Sequence, residues 1–312
     1  MGESKISQME FKKFTTLNLS FRIAIMSLQN NTKWFQTTLH LPNSVLPKVF
    51  IRVLVCTIFA LFISILNYRG YGVNLPILGS AVPSIIVGLL LVFRTNTAYE
   101  RFWEGRKLWG SINSNIRNLA RQIWLTNSKH QNEKKEILEL LWVFAIVVKN
   151  HLRNDNLDPS YLQNLSDNSL QKLSNSNNAF LTSTFLIQQK MNEFKTNNNI
   201  SEVVFGNMQL HLNAIISAVG GCERILKTPI PIAYSIHLKQ LILLYCFSLP
   251  FQFVGQLGFL SVALVGLVSF AMMGIEEIGL EIENPFGKDL NDLPLDTICE
   301  NIKKNLEELK NY

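Results

Sequence analysis

Ile85, Leu89 and Phe93 recur at i, i+4 and i+8, so on a helix they form one stripe without a hydroxyl or a charge. If several copies of such a helix ring an axis, the stripe becomes a hydrophobic neck that conducts when wide and dewets when narrow. The same spacing fits a face packed on other helices or on lipid, and spacing alone leaves these readings open. Arg94 follows at once, opening RTNTAYERFWEGRKLWG, where cations, aromatics and amides lie together as they do at the mouth of a channel or transporter. At the end of an apolar run, Arg94 reads as an interfacial anchor. Tyr99, Phe102, Trp103 and Trp109 alternate with Arg101, Glu104 and Arg106, which suits a packed helix on the aqueous side. An anion path would use aromatic edges, helix-start N–H groups and cationic vestibules, and would need no arginine in its narrow part.

A second group is acidic. Glu276, Glu277, Glu281, Glu283, Asn284, Asp289 and Asp292 fall within seventeen residues, an oxygen density that suits a hard cation such as calcium. EF-hand spacing is absent and Lys288 interrupts the run, so a helix end and turn held by Pro285 and Gly287 is the other reading. Catalytic signatures are missing: there is no GxSxG, HExxH, P-loop or GxGxxG, and His40, His130, His151, His211 and His237 stand far apart. The chain is read as not an enzyme. Cys56, Cys222, Cys246 and Cys299 are scattered without a CxxC pair, which points to neither a disulfide framework nor a zinc site.

The elements that must position these residues are apolar helices. Of 312 residues, 47% are hydrophobic and only 17% charged, low for a soluble chain and apt for a membrane protein with large aqueous parts. A net charge of +6 could suit nucleic acid, but positively charged cytoplasmic loops produce the same bias, and no nucleic-acid partner is expected. Four tracts are read as spans. Val49 to Leu66 carries only Arg52, close enough to its start to snorkel; Leu75 to Phe93 is chargeless, with a kink expected near Pro83. Pro229 to Leu249 holds His237 and Lys239 and reads as broken or partly buried; Phe251 to Gly274 is chargeless, with glycines where another helix can approach. Ile137 to Val148 is too short to span and reads as the buried face of a soluble helix. No cleavable secretory signal precedes the first tract.

Residues 1 to 48 hold six lysines and arginines, and Arg94, Arg101, Arg106, Lys107, Arg117 and Arg121 follow the second tract, whereas YRGYGVN holds one and SLP none. The positive-inside rule therefore puts both termini and the middle region in the cytoplasm, with two tight hairpins outside. The plan is a cytoplasmic segment over 1–48, spans within 49–93, a cytoplasmic helical region over 94–228, spans within 229–274 and a cytoplasmic segment over 275–312. The middle region shows helical spacing in NEKKEILELLWVFAIVVKNHL and again after Ser201, a candidate N-cap. An Asn- and Ser-rich stretch near 154–199 has loop composition. No useful strand alternation occurs, so the fold class is an all-α membrane protein.

Three segments, FRTNTAYERFWEGRKLWG, GCERILKTPIPIAY and GLEIENPFGKDLNDLPLD, stand in an order that resembles the bacterial branch of the bestrophin family, over roughly Val49 to Glu307. The resemblance implies four transmembrane helices per subunit and a homopentamer of identical subunits around one central pore in the lipid bilayer. It implies passage of chloride and other small anions down their gradient, across a plasma membrane. It puts the neck on Ile85, Leu89 and Phe93, and a second, cytosolic aperture near Val203. In animal relatives a calcium clasp surrounds NPFG; here Glu281, Asn284, Asp289 and Asp292 occupy matching places, but Lys288 and Leu290 interrupt the acidic run. No cofactor is expected to be required, with calcium as the one candidate. A cation-conducting pore or secondary transporter on the same scaffold is the alternative function, and a membrane-anchored helical scaffold a third.

Overall fold

The computed structural model describes residues 44–75, 81–126 and 131–311. His40, His130, most of the N-terminal cations and residues 76–80 of the second tract lie outside them. Within the described residues the chain is helical, with no strand: α1 Leu46–Tyr68, α2 Ala81–Leu125, α3 Gln131–Arg153, α4 Asp167–Ser174, α5 Ala179–Asn198, α6 Glu202–Lys227, α7 Ile232–Leu257, α8 Leu260–Glu281 and α9 Leu295–Leu309. Five of these helices, α1, α2, α6, α7 and α8, are long and apolar enough to cross a membrane.

Two apolar clusters organise the chain, and α2 belongs to both. Val49, Cys56 and Ala60 of α1, Val87 and Leu91 of α2, Leu238, Ile242 and Cys246 of α7, and Val265 and Met273 of α8 make the first. The second gathers Trp109, Ile112, Ile116 and Leu119 of α2 with α3, α5, α6 and α9. At 45 residues, α2 is about 67 Å long at 1.5 Å per residue, which is how one helix serves two cores. Along the second cluster α2 lies against α6, and the approach is tight: a Cβ on Gly221 would come within 2.8 Å of the Leu108 side chain.

Several expectations change. Pro83 is the third described residue of α2, and the helix continues from it without a break to Leu125. The connector expected at SLP is absent: α7 runs unbroken through His237, Lys239 and Pro250 to Leu257. The turn comes instead at Gly258, whose φ of +52° is a left-handed conformation that glycine adopts without strain. Helix α8 then continues past Gly274 to Glu281, carrying part of the acidic run on a helix.

The Asn-rich stretch also folds. It contains a 3-10 turn at Pro159–Leu162 and the helices α4 and α5. Leu186, Ile187, Met191 and Phe194 recur at helical spacing and are buried on α3, while the Asn178 side chain accepts from the Leu181 N–H (3.0 Å) and caps α5. Asparagine-rich flanks and the polar residues interleaved along α5 had concealed its apolar side. Ser201 does cap α6, accepting from the Val204 N–H (3.4 Å). Helix α3 is buried on nearly every side from Ile137 to Asn150, beyond the single buried face its sequence suggested. All four cysteines are free and buried.

Candidate pore wall and the junction behind it

Ile85, Leu89 and Phe93 are 59%, 50% and 58% exposed, while Val87 and Leu91 on the opposite side are buried in the first cluster. The stripe thus faces outward, at three levels about 6 Å apart along the axis. The structure widens it, because Val82, Ile86 and Val92 are exposed beside it. Below Phe93 the exposed side continues through Asn96, Tyr99, Trp103, Arg106, Lys107, Ser114, Arg117 and Arg121. One face of one helix therefore passes from apolar to cationic.

Arg94 does not anchor at an interface. It is 1% exposed and its Nη2 donates to Glu283 Oε2 at 2.6 Å, while Nε and Nη1 have no protein partner. Gly279 of α8 makes room, since a Cβ there would sit 3.6 Å from the arginine Cγ. Glu283 Oε1 accepts from the Ile230 N–H (3.0 Å), at the entry to α7. Arg101, two turns below Arg94, donates from Nε to the Glu283 carbonyl (3.0 Å), from Nη1 to the Thr228 carbonyl (2.5 Å) and from Nη2 to the Ile225 carbonyl (2.7 Å). The last two carbonyls end α6, where helix oxygens lack intrahelical donors and carry partial negative charge. Gly105 completes the seat, because a Cβ there would lie 2.9 Å from Pro285 Cγ and 3.2 Å from the Phe286 ring. Tyr234 Oη of α7 donates to the Leu90 carbonyl (2.9 Å), tying the stripe's own helix from the other side.

The three segments that carried the resemblance thus meet at one junction directly behind the stripe. Sequence reasoning had Arg94 as an anchor and Glu283 among oxygen ligands. The only signal available was that an arginine inside a packed helix needs a carboxylate, and several candidate carboxylates were on offer.

The four clasp positions face different partners. Glu281 Oε1 meets Lys48 Nζ at 2.7 Å, and its Oε2 accepts from Asn291 Nδ2 at 2.5 Å. Asn284 Oδ1 accepts from the Phe286 N–H (3.3 Å), and Asp292 Oδ2 from the Asp289 N–H (2.7 Å). Burial pushes the Asp292 carboxyl above its ordinary pKa, and its Oδ1 has no partner. Lys288 turns away to Asp155 (2.8 Å). Among the described residues no group of three or more His, Cys, Asp or Glu is placed to hold a metal ion. Val203, in the first turn of α6, is 75% exposed. It stands near the end of α2, where Leu125 and Val204 line a common cavity, about 48 Å along α2 from Phe93.

The family described as "Bacterial/Fungal Bestrophin protein" matches residues 26–308. The chain belongs to the bacterial and fungal bestrophin family. A Nostoc protein named a voltage-dependent anion channel-forming protein is 49% identical over 280 residues, which cover 88% of this chain and 91% of that one. An Escherichia coli K12 protein with the same descriptive name is 28% identical, over 91% of this chain and 94% of that one. The crystal structure of a bacterial bestrophin homologue from Klebsiella pneumoniae superposes with a TM-score of 0.80 at 26% identity, over 85% of this chain and 100% of that chain. Family and apolar helices together make this bestrophin a multi-pass integral membrane protein.

Proposed function

We propose that the protein is a passive channel for chloride and other small monovalent anions. Five copies ring one pore with Ile85, Leu89 and Phe93 as its neck, Val203 near a second aperture, and the exposed cations of α2 as the vestibule between them. The observation that carries this reading is the outward, chargeless stripe on α2, whose other side is fixed by the Arg94–Glu283 junction. Large apolar side chains facing outward require lipid or a second subunit. A neck without charge selects by the cost of dehydration and by the positive edge of the Phe93 ring, both of which favour weakly hydrated anions. The anion-channel names of the Nostoc and E. coli relatives support the same reading.

Four helices span in this proposal: α1, the start of α2, α7 and α8. Helix α6 stays in the cytoplasm, because it packs on the part of α2 that exposes Arg106, Arg117 and Arg121, which lipid would not accommodate. Both termini are cytoplasmic by the positive-inside rule, and the membrane is the plasma membrane. The test is a planar-bilayer recording of purified protein under a chloride gradient with ion substitution. A reversal potential that follows chloride, and a larger current from Phe93→Ala, are expected; a reversal at the cation equilibrium potential overturns the proposal in favour of the cation pore.

A further inference from the structure

Between the lower part of α2 and α9 lies a cavity of about 470 Å³ lined by Ser114, Arg117, Asn118, Arg121, Asn305 and Glu308. That volume is within the range of small-molecule sites. Arg117 and Arg121 are exposed one turn apart, so their guanidinium groups share a side of the helix, and like charges at this spacing repel. Neither has an ion pair or hydrogen bond among the described residues. Elsewhere in the second cluster Lys149, Arg153, Lys190, Lys195 and Lys288 each meet a carboxylate within 3.1 Å. The walls of the cavity add a hydroxyl and amide donors from Ser114, Asn118 and Asn305, against the single carboxylate of Glu308.

We propose that this cavity binds a soluble phosphate-bearing small molecule, whose oxygens bridge Arg117 and Arg121. Two planar guanidinium forks match a polyvalent oxyanion, whereas a chloride ion can satisfy only part of such an array. A lipid headgroup is not the source: Arg117 is about 36 Å along α2 from Phe93, far beyond the few ångströms of a headgroup layer. Arg121 lies ten helical turns from Ile85 and so shares its side of α2. Resting on the channel reading above, this alignment puts the bound anion in the cytoplasmic vestibule, where it obstructs the current.

The site is tested by equilibrium dialysis of inorganic pyrophosphate against the purified full-length protein in detergent, at fixed ionic strength and without divalent cations. Saturable binding is expected, weakened roughly tenfold or more in the Arg117→Gln/Arg121→Gln double variant, as loss of charge-assisted hydrogen bonds requires. Glu308→Gln removes the opposing charge and tightens binding a few-fold, a gain that misfolding cannot imitate. Lys135→Gln, which removes an exposed cation elsewhere, leaves it unchanged. Absence of saturable binding, equal affinity in the double variant, or no tightening in Glu308→Gln overturns the site. Pyrophosphate added on the cytoplasmic side in a bilayer recording then reduces the chloride current of the unaltered protein but not of the double variant. Binding without block leaves the site standing and overturns its alignment with the pore, and with it the placing of this face of α2 along the anion path.

Discussion

Helix α2 is two different helices joined end to end. From Val82 to Phe93 it is apolar on both sides, with Val87 and Leu91 buried and Ile85, Leu89 and Phe93 outward. From Trp109 to Ile123 it is apolar on one side only, burying Ile112, Ile116 and Leu119 while Ser114, Arg117 and Arg121 face out. Water is a sufficient partner for the second pattern and a poor one for the first. The upper half therefore calls for lipid or another subunit, and the lower half is complete within one chain. Arg94, between them, is where the chain fixes one half against the other.

The largest effect is expected at that join. Replacing Glu283 by Ala leaves the Arg94 charge buried without its carboxylate, at a cost of about 3–5 kcal/mol. A thermal melt in detergent should collapse accordingly, and a change within experimental error would mean that the junction does not hold the two halves together.

The contrast itself is broken or sharpened by matched truncations. Ile116→Ala in the lower half should cost about 2–4 kcal/mol through lost burial and a cavity. Leu89→Ala in the upper half should change the melt by less than about 0.5 kcal/mol, yet raise single-channel conductance. Equal destabilisation by both would show that Leu89 is buried in the assembly like any core residue, and would remove it from the neck.

Gly105→Ala forces a methyl group to within 2.9 Å of Pro285, an overpacking penalty of about 1–3 kcal/mol that should appear as earlier proteolysis of the segment before α9. An unaltered cleavage pattern would show that the Pro285 seat yields freely.

A small, pH-dependent effect concerns Asp296, which binds Lys149 (2.8 Å) and Arg153 (2.6 Å) and so docks α9 on α3. These two hydrogen-bonded cations hold its carboxyl at about 2, below the ordinary 3.8. A depressed value means the ion pairs stabilise the fold fully above the ordinary pKa and stop doing so as pH falls through about 2. The Asp296 side chain is largely solvent-exposed, so Asp296→Asn should cost under about 1 kcal/mol near neutrality and nothing once the pH is well below its folded value. A melt difference that persisted at the acid limit would assign the effect to packing.

Much of this was legible in the sequence because it is local. The chargeless run up to Phe93, the cations below it and the 3.6-residue spacing of α3 and α6 each depend on residues a few places apart. The turn at Gly258 was not legible: Pro250 is the stronger helix-breaking signal, and only packing decides that a proline is tolerated inside α7. Helix α5 was missed for the opposite reason, since its buried side is interleaved with threonine, glutamine, lysine and asparagine.

The sequence by itself determined that the chain is helical, that it carries apolar tracts fit for a bilayer, and that α2 changes character at Arg94. Which carboxylate neutralises Arg94, which carbonyls receive Arg101, and where the clasp positions point were decided only by the tertiary structure. Hydrophobic patterning is read from neighbours along the chain, whereas a buried charge must find its partner wherever the fold brings one. For Arg94 that partner is Glu283, 189 residues away in the chain.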